Sequence, residues 1–245
     1  MANGKRWTKE ELQLVLNLYS RTAFGRLHQT NPDIRRLAVY LGRTPGSIAM
    51  KLCNFAAIDP LLPRAGLRGC SRLDHETWQE YFHNEEMIIT SDRRLQSILQ
   101  GTDAKMIIPE TDFFAENKES FTYTRTRQNF FRDVVLSNFN DQCCITGINS
   151  KELLVASHII PWTKDANNRL NPQNGLCLNA LHDRAFDRGL ITLDEALTVV
   201  VSKQLPRQKQ LALILDYEGK KISTPDRFMP GKQFLEYHRD NIFQA

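Results

Sequence analysis

The chain has 245 residues, 41% of them hydrophobic and 24% charged, which is enough apolar material for a buried core in one large domain or two small ones. No apolar run approaches the length of a membrane span, and MANGKRW at the N-terminus lacks the apolar centre of a signal peptide, so a cytoplasmic protein without membrane contact is expected. The formal net charge of +4 leans mildly towards anionic partners.

The first element is a helix opened by Thr8 and Glu11. A threonine followed three residues later by glutamate can satisfy free amides at a helix start from both sides. Leu12, Val15, Leu16 and Tyr19 then fall on one face. Asn31-Pro32 opens a second helix, with Ile34, Leu37, Ala38 and Leu41 as its apolar stripe and Gly42 as its stop. Thr44-Pro45 opens a third, whose stripe is Ile48, Leu52 and Phe55. Two short helices joined by a tight glycine turn are the geometry of a helix-turn-helix. On that reading Ser47, Met50, Lys51 and Asn54 form the outward face of the third helix, and with Arg43 they are candidates to touch DNA. RWTKEE and GRTPGSIAMKL, over about the first 60 residues, resemble Myb-like three-helix domains.

Pro60, Pro63 and Gly66 predict a boundary. Residues 63–123 read as a connector, with helical stretches at 75–88 and 92–100. His75 and His83, in that segment, read as structural or surface residues rather than ligands. RAGLRGCSR and RTRQNFFR are locally basic, and alone each reads as a solvated face.

From Arg125 the pattern sharpens. Phe130, Phe131, Val134, Val135 and Phe139 suit an amphipathic helix. CCITG reads as a short strand entering a turn, LLVASHII as a strand, and TKDANNRLNPQ as a loop. NGLCL is a further extended piece, and NALHDRAFDRG is a helix capped by Asn179 and closed by Gly189. LITLD and LTVVVS are strands around a turn at Asp194-Glu195, and FLEYHRDNIF is a terminal helix. The five cysteines form no CxxC pair, so reduced, packed thiols are expected and no structural zinc.

The order of strand with His158, loop, Asn174 and short helix with His182 resembles the HNH endonuclease family, in particular its restriction-type members. CCITG, ASHIIPW, NGLCLNALHDRAFDRGLIT and YHRDNIF carry that resemblance. It implies an α+β chain with three parts: a helix-turn-helix-like domain at 1–62, the connector at 63–123, and a ββα-metal nuclease domain at 124–245. It also implies roles. His158 is the general base, because neutral imidazole can take a proton from water near neutral pH. Asn174 holds that ring and pins the loop, and His182 binds a divalent cation that stabilises the leaving oxygen.

The chain departs from the family pattern at two positions. Ser157 stands where many members have an acidic ligand, and Phe186 where others have a second histidine. The second metal ligand is therefore left open between Asp183 and Asp187, with Asp165 as a third choice. Few protein ligands suit Mg²⁺, with Mn²⁺ as the substitute. Lys164, Arg169, Arg184 and Arg188 are candidate phosphate contacts. The expected partner is double-stranded DNA, cut by a homodimer because one such site cuts one strand. The resemblance implies restriction or anti-phage defence. The rival readings are a non-catalytic DNA-binding regulator with a degenerate nuclease fold, and a nuclease for structured RNA or single strands.

Overall fold

We analysed a computed structural model, which describes residues 6–62, 67, 69–101, 115–225 and 227–245. The chain divides into two compact units, Met1–Phe130 and Phe131–Ala245.

The first unit is helical. Thr8 and Glu11 form the expected capping box, Thr8 accepting from the Glu11 amide at 3.3 Å and Glu11 accepting from the Thr8 amide at 3.1 Å. They open α1, Lys9–Ser20. Leu12, Leu14, Val15, Leu16, Leu18 and Tyr19 are all buried, so this helix is apolar around most of its girth and forms the centre of the unit. Asn31 caps α2, Pro32–Leu41, which stops at Gly42 in the left-handed region at φ 60°. Thr44 caps α3, Pro45–Ile58.

The stretch at 63–123 is not merely a connector. It supplies α4, Arg72–Tyr81, and α5, Glu85–Gln100, and both pack against α1. Their ends differ from the sequence reading because Asn84 caps α5 by accepting from the Met87 amide at 3.1 Å. That cap starts the second helix seven residues earlier than hydrophobic spacing predicts. His75 and His83 are exposed. The expected boundary at residue 123 falls outside the described side chains, and the division between units lies within α6, Ala115–Asn138.

Packing of α4 overturns the expected outward face of α3. Lys51 is only 7% exposed and its ammonium contacts both Asp74 oxygens, at 2.9 and 3.0 Å. Asn54 is equally buried, with its amide oriented to donate to the Met50 and Leu67 carbonyls. Arg43 is held between Glu11, at 2.7 Å, and the face of Trp7, at 3.7 Å. Of the face predicted for DNA, Met50 is exposed and Ser47 partly so. A helix that reads as amphipathic in isolation is here covered on its polar side as well, because buried charge is tolerated once it is paired.

The second unit is α+β. Its core includes Phe131, Val135 and Phe139 from α6, Leu154, Leu176 and Leu178 from a hairpin, and Phe186 from a helix above it. The hairpin pairs β1, Leu154–His158, with β2, Gly175–Asn179, in antiparallel register from Leu154↔Asn179 to His158↔Gly175. CCITG does not form a strand. It is a turn in which Gly147, at φ 76°, donates to the Cys143 carbonyl, and the Cys144 amide donates to Cys177 at 2.8 Å. Cys143, Cys144 and Cys177 are all buried beside the hairpin.

Asn179 caps α7, Ala180–Asp187, and Gly189 at φ 66° closes it. β3, Ile191–Leu193, pairs antiparallel with β4, Val199–Val201. A short α8, Ala212–Leu215, and the terminal α9, Lys232–Asn241, complete the unit. Among the described residues no helix is long and apolar enough to cross a membrane.

Candidate active site

Strand periodicity sends neighbouring side chains to opposite faces. At the end of β1 this separates His158 from Ser157. The His158 ring stacks on Phe131 of α6, with centroids 3.7 Å apart and planes within 12°, and meets Trp162 edge-on at 5.4 Å. Gly175, opposite His158 in the ladder, makes room for that stack. A Cβ there would lie 2.5 Å from a Val135 methyl and 2.8 Å from Phe131 Cζ.

His158 Nε2 lies 3.0 Å from the Arg169 carbonyl oxygen. A carbonyl only accepts, so Nε2 carries the proton and donates, and Nδ1 keeps its lone pair. Among the described residues Nδ1 makes no hydrogen bond. Burial lowers the ring's pKa from its ordinary value, with the Arg169 carbonyl pulling the other way. At neutral pH the ring is therefore uncharged and able to accept a proton.

Among the described residues the Asn174 side chain makes no hydrogen bond to the ring, and the expected hold on it is indirect. Asn174 is 1% exposed, and its side chain accepts from the Ile160 amide at 2.8 Å and donates to the Ile160 carbonyl at 3.2 Å and the Asn168 carbonyl at 3.4 Å. It fixes the loop, and the loop in turn presents the Arg169 carbonyl. Asp165 belongs to the same frame. Its carboxylate accepts from the Asn167 and Asn168 amides and from the Asn168 side chain. Arg169 is also engaged, donating through Nε to the Trp162 carbonyl at 2.9 Å with its guanidinium 5.2 Å above the Trp162 ring. Lys164 remains exposed.

His182 lies in the first turn of α7. It is 1% exposed, its Nδ1 donates to Asn179 Oδ1 at 3.1 Å, and its ring meets Tyr217 edge-on at 5.5 Å. Nε2 is buried and makes no hydrogen bond of normal geometry. Burial lowers this ring's pKa, and the Leu213 carbonyl acts weakly against that. Among the described residues the His158 and His182 rings share no hydrogen bond and no ring contact, and none is needed between a base and a metal ligand that meet at one phosphate.

Asp183, the next residue on α7, is the one that comes to β1. Burial raises its carboxyl pKa, and the Ser157 hydroxyl and Arg184 lower it. The Ser157 hydroxyl is buried and in no hydrogen bond of normal geometry, yet near enough for its dipole to act on that carboxylate. Asp187 lies four residues on and so shares a helix face with Asp183. Its pKa is raised by loss of solvent and then by the Asp183 charge, against Arg184 and Arg188. Arg184 and Arg188 are exposed. His238, which sequence reading left without a role, is a structural residue. Nε2 donates to the Phe186 carbonyl at 3.1 Å, Nδ1 accepts from the Thr192 hydroxyl at 2.9 Å, and the ring stacks on Phe186 at 3.7 Å.

Residues 143–194 match the family model described as HNH endonuclease. An HNH endonuclease domain thus covers the hairpin, the loop, α7 and β3, and points to nuclease activity on phosphodiester bonds. No curated protein matches the chain. HNH nucleases generally use a divalent metal. Among the described residues no three His, Cys, Asp or Glu side chains gather closely enough to hold an ion. The donors at hand on α7 are His182, whose buried Nε2 makes no hydrogen bond of normal geometry, and the carboxylates Asp183 and Asp187. Oxygen donors of this kind fit a hard cation that keeps water and phosphate in most of its coordination sites.

Proposed function

We propose that this protein is a metal-dependent endonuclease that hydrolyses phosphodiester bonds of double-stranded DNA, with His158 as general base. The observation that carries the reading is the hydrogen bond from His158 Nε2 to the Arg169 carbonyl, inside a stretch that matches HNH endonucleases. That bond leaves Nδ1 unprotonated. Phe131 and Trp162 hold the ring plane, and Asn174 holds the loop that supplies the carbonyl. Nδ1 accepts a proton from the attacking water. Asp183, with Asp187 beside it, would hold the divalent ion, which when bound neutralises phosphate charge and stabilises the leaving oxygen. Arg184 and Lys164, both exposed, would contact phosphates. The resemblance to restriction-type members supports a restriction or anti-phage role, and the need for two such sites in a double-strand break supports a homodimer.

The test is supercoiled plasmid incubated with Mg²⁺ or Mn²⁺, beside a His158→Ala variant. Wild type should nick or linearise the plasmid, and His158→Ala should be slower by about 10²-fold or more. A wild type inert with every divalent ion would leave the second reading, a DNA-binding regulator on a nuclease fold. Ser157, standing where many family members carry an acidic ligand, favours that second reading.

A further inference from the structure

With Lys51 and Asn54 of α3 buried, exposed cations remain on α2 and α5 among other places in the first unit. Arg35 and Arg36, exposed on α2, Val39 at 83% exposure, Tyr40 at 36%, Ile98 of α5 and Gly101 line a recess of about 370 Å³. Arg94 of α5 donates to the Tyr40 hydroxyl at 3.1 Å and lies over its ring at 5.8 Å. Arg35 and Arg36 line the recess, with Arg35 Nε donating to the Gln29 carbonyl at 3.3 Å, and Arg94 stands beside it on Tyr40. The carboxylates near them are Asp33, 3.3 Å from Arg36, and Glu10, which interacts with Arg94. Positive charge remains in excess. The recess thus joins an exposed valine and a half-exposed tyrosine to a net positive rim, a combination that offers both an apolar contact and charge to an anionic ligand.

We propose that this recess takes one unstacked nucleotide of a DNA duplex. Its flanking phosphates would lie on Arg35 and Arg36, and its base against Val39, Tyr40 and Ile98. Charge complementarity selects an anionic partner, and planar guanidinium groups suit phosphate. A base out of the stack offers the flat apolar face that the recess floor matches, whereas a paired base keeps that face buried in the helix. The proposal rests on the nuclease reading for its choice of DNA.

The experiment is fluorescence anisotropy of the full chain in EDTA, so that no cleavage occurs. The probes are a labelled duplex with a single-nucleotide bulge and the same duplex fully paired. Wild type should bind the bulged duplex at least tenfold more tightly. Tyr40→Ala, and separately Arg35→Ala with Arg36→Ala, should remove that preference. Arg72→Ala, which deletes an exposed charge on α4, should leave it within twofold. Circular dichroism of each variant confirms the fold. Equal wild-type affinity for the two duplexes, or a preference that survives both sets of substitutions, overturns the proposal. Plasmid nicking that depends on His158, with no bulge preference, would sink the recess and keep the nuclease. A bulge preference lost in the variants, with no nicking, would do the reverse.

Discussion

On the proposed mechanism the chemistry turns on His158 and Asp183, and each has a separable test. Lowering of the His158 pKa by burial means that the base stays unprotonated to below the ordinary histidine range. The sign follows: kcat/KM for nicking should be flat at neutral pH and fall on the acid side, with its limb below pH ~6.5, the ordinary value. A limb well above that value would show that another group titrates. For the metal, Asp183→Asn should raise the Mg²⁺ concentration for half-maximal nicking by about 10–100-fold, the range seen when ion-orienting groups are removed. His182→Gln should leave that concentration within a few-fold while lowering the unfolding midpoint, because the His182 ring is buried against Tyr217. The opposite ranking would restore His182 as the ligand. Sequence alone left the choice between Asp183 and Asp187 open because it depends on how α7 is rotated over β1. It also assigned the contact with the His158 ring to Asn174. A main-chain carbonyl such as that of Arg169 has no signature in residue identity.

Elements with local signals were legible: the Thr8–Glu11 box, the Asn31 and Thr44 caps, the Asn179 cap and the alternation of β1 against β2 all lie within a few residues of what they specify. What failed was non-local. Lys51 and Asn54 read as outward because their cover, α4, begins at Arg72. α4 and α5 read as a connector because their burial is against α1, more than 50 residues earlier. Two glycines show how tightly elements meet in the second unit. Gly189 has φ 66°, and a Cβ there would lie 2.0 Å from the Ile242 carbonyl oxygen. Strain and backbone collision act together at that position, so Gly189→Ala should destabilise by more than about 4 kcal/mol or prevent folding. Gly175→Ala meets side chains instead and should cost about 1–3 kcal/mol in denaturant melts. Because the side chain displaced is Phe131, nicking should fall further than stability does. Retained activity in a destabilised Gly175→Ala would mean that the stack on His158 is packing alone.

At the scale of the whole chain, two units of similar size sit on one sequence, and their responses to acid should differ. In the second unit His238 ties α9 to the end of α7 and to β3, with both ring nitrogens committed. Burial, above all, pushes its pKa down to about 4, with Arg239 adding to the shift against the Phe186 carbonyl. An unfolded histidine titrates near 6.5. Between those values the unfolded state binds the extra proton, so stability rises with pH through that window. Histidine 238 therefore leaves the fold at full strength above pH ~6.5 and withdraws about 3 kcal/mol as pH falls through 4. His238→Gln keeps a donor for Phe186 and an acceptor for Thr192 but removes the titration. Urea unfolding of the second unit, followed at pH 7 and pH 4.5 for both proteins, should show the wild type losing more stability than the variant. The first unit holds no such histidine among its described residues, since His28, His75 and His83 are exposed, and its transition should shift equally in both proteins. Equal acid sensitivity of the second unit in wild type and His238→Gln would place the linkage elsewhere.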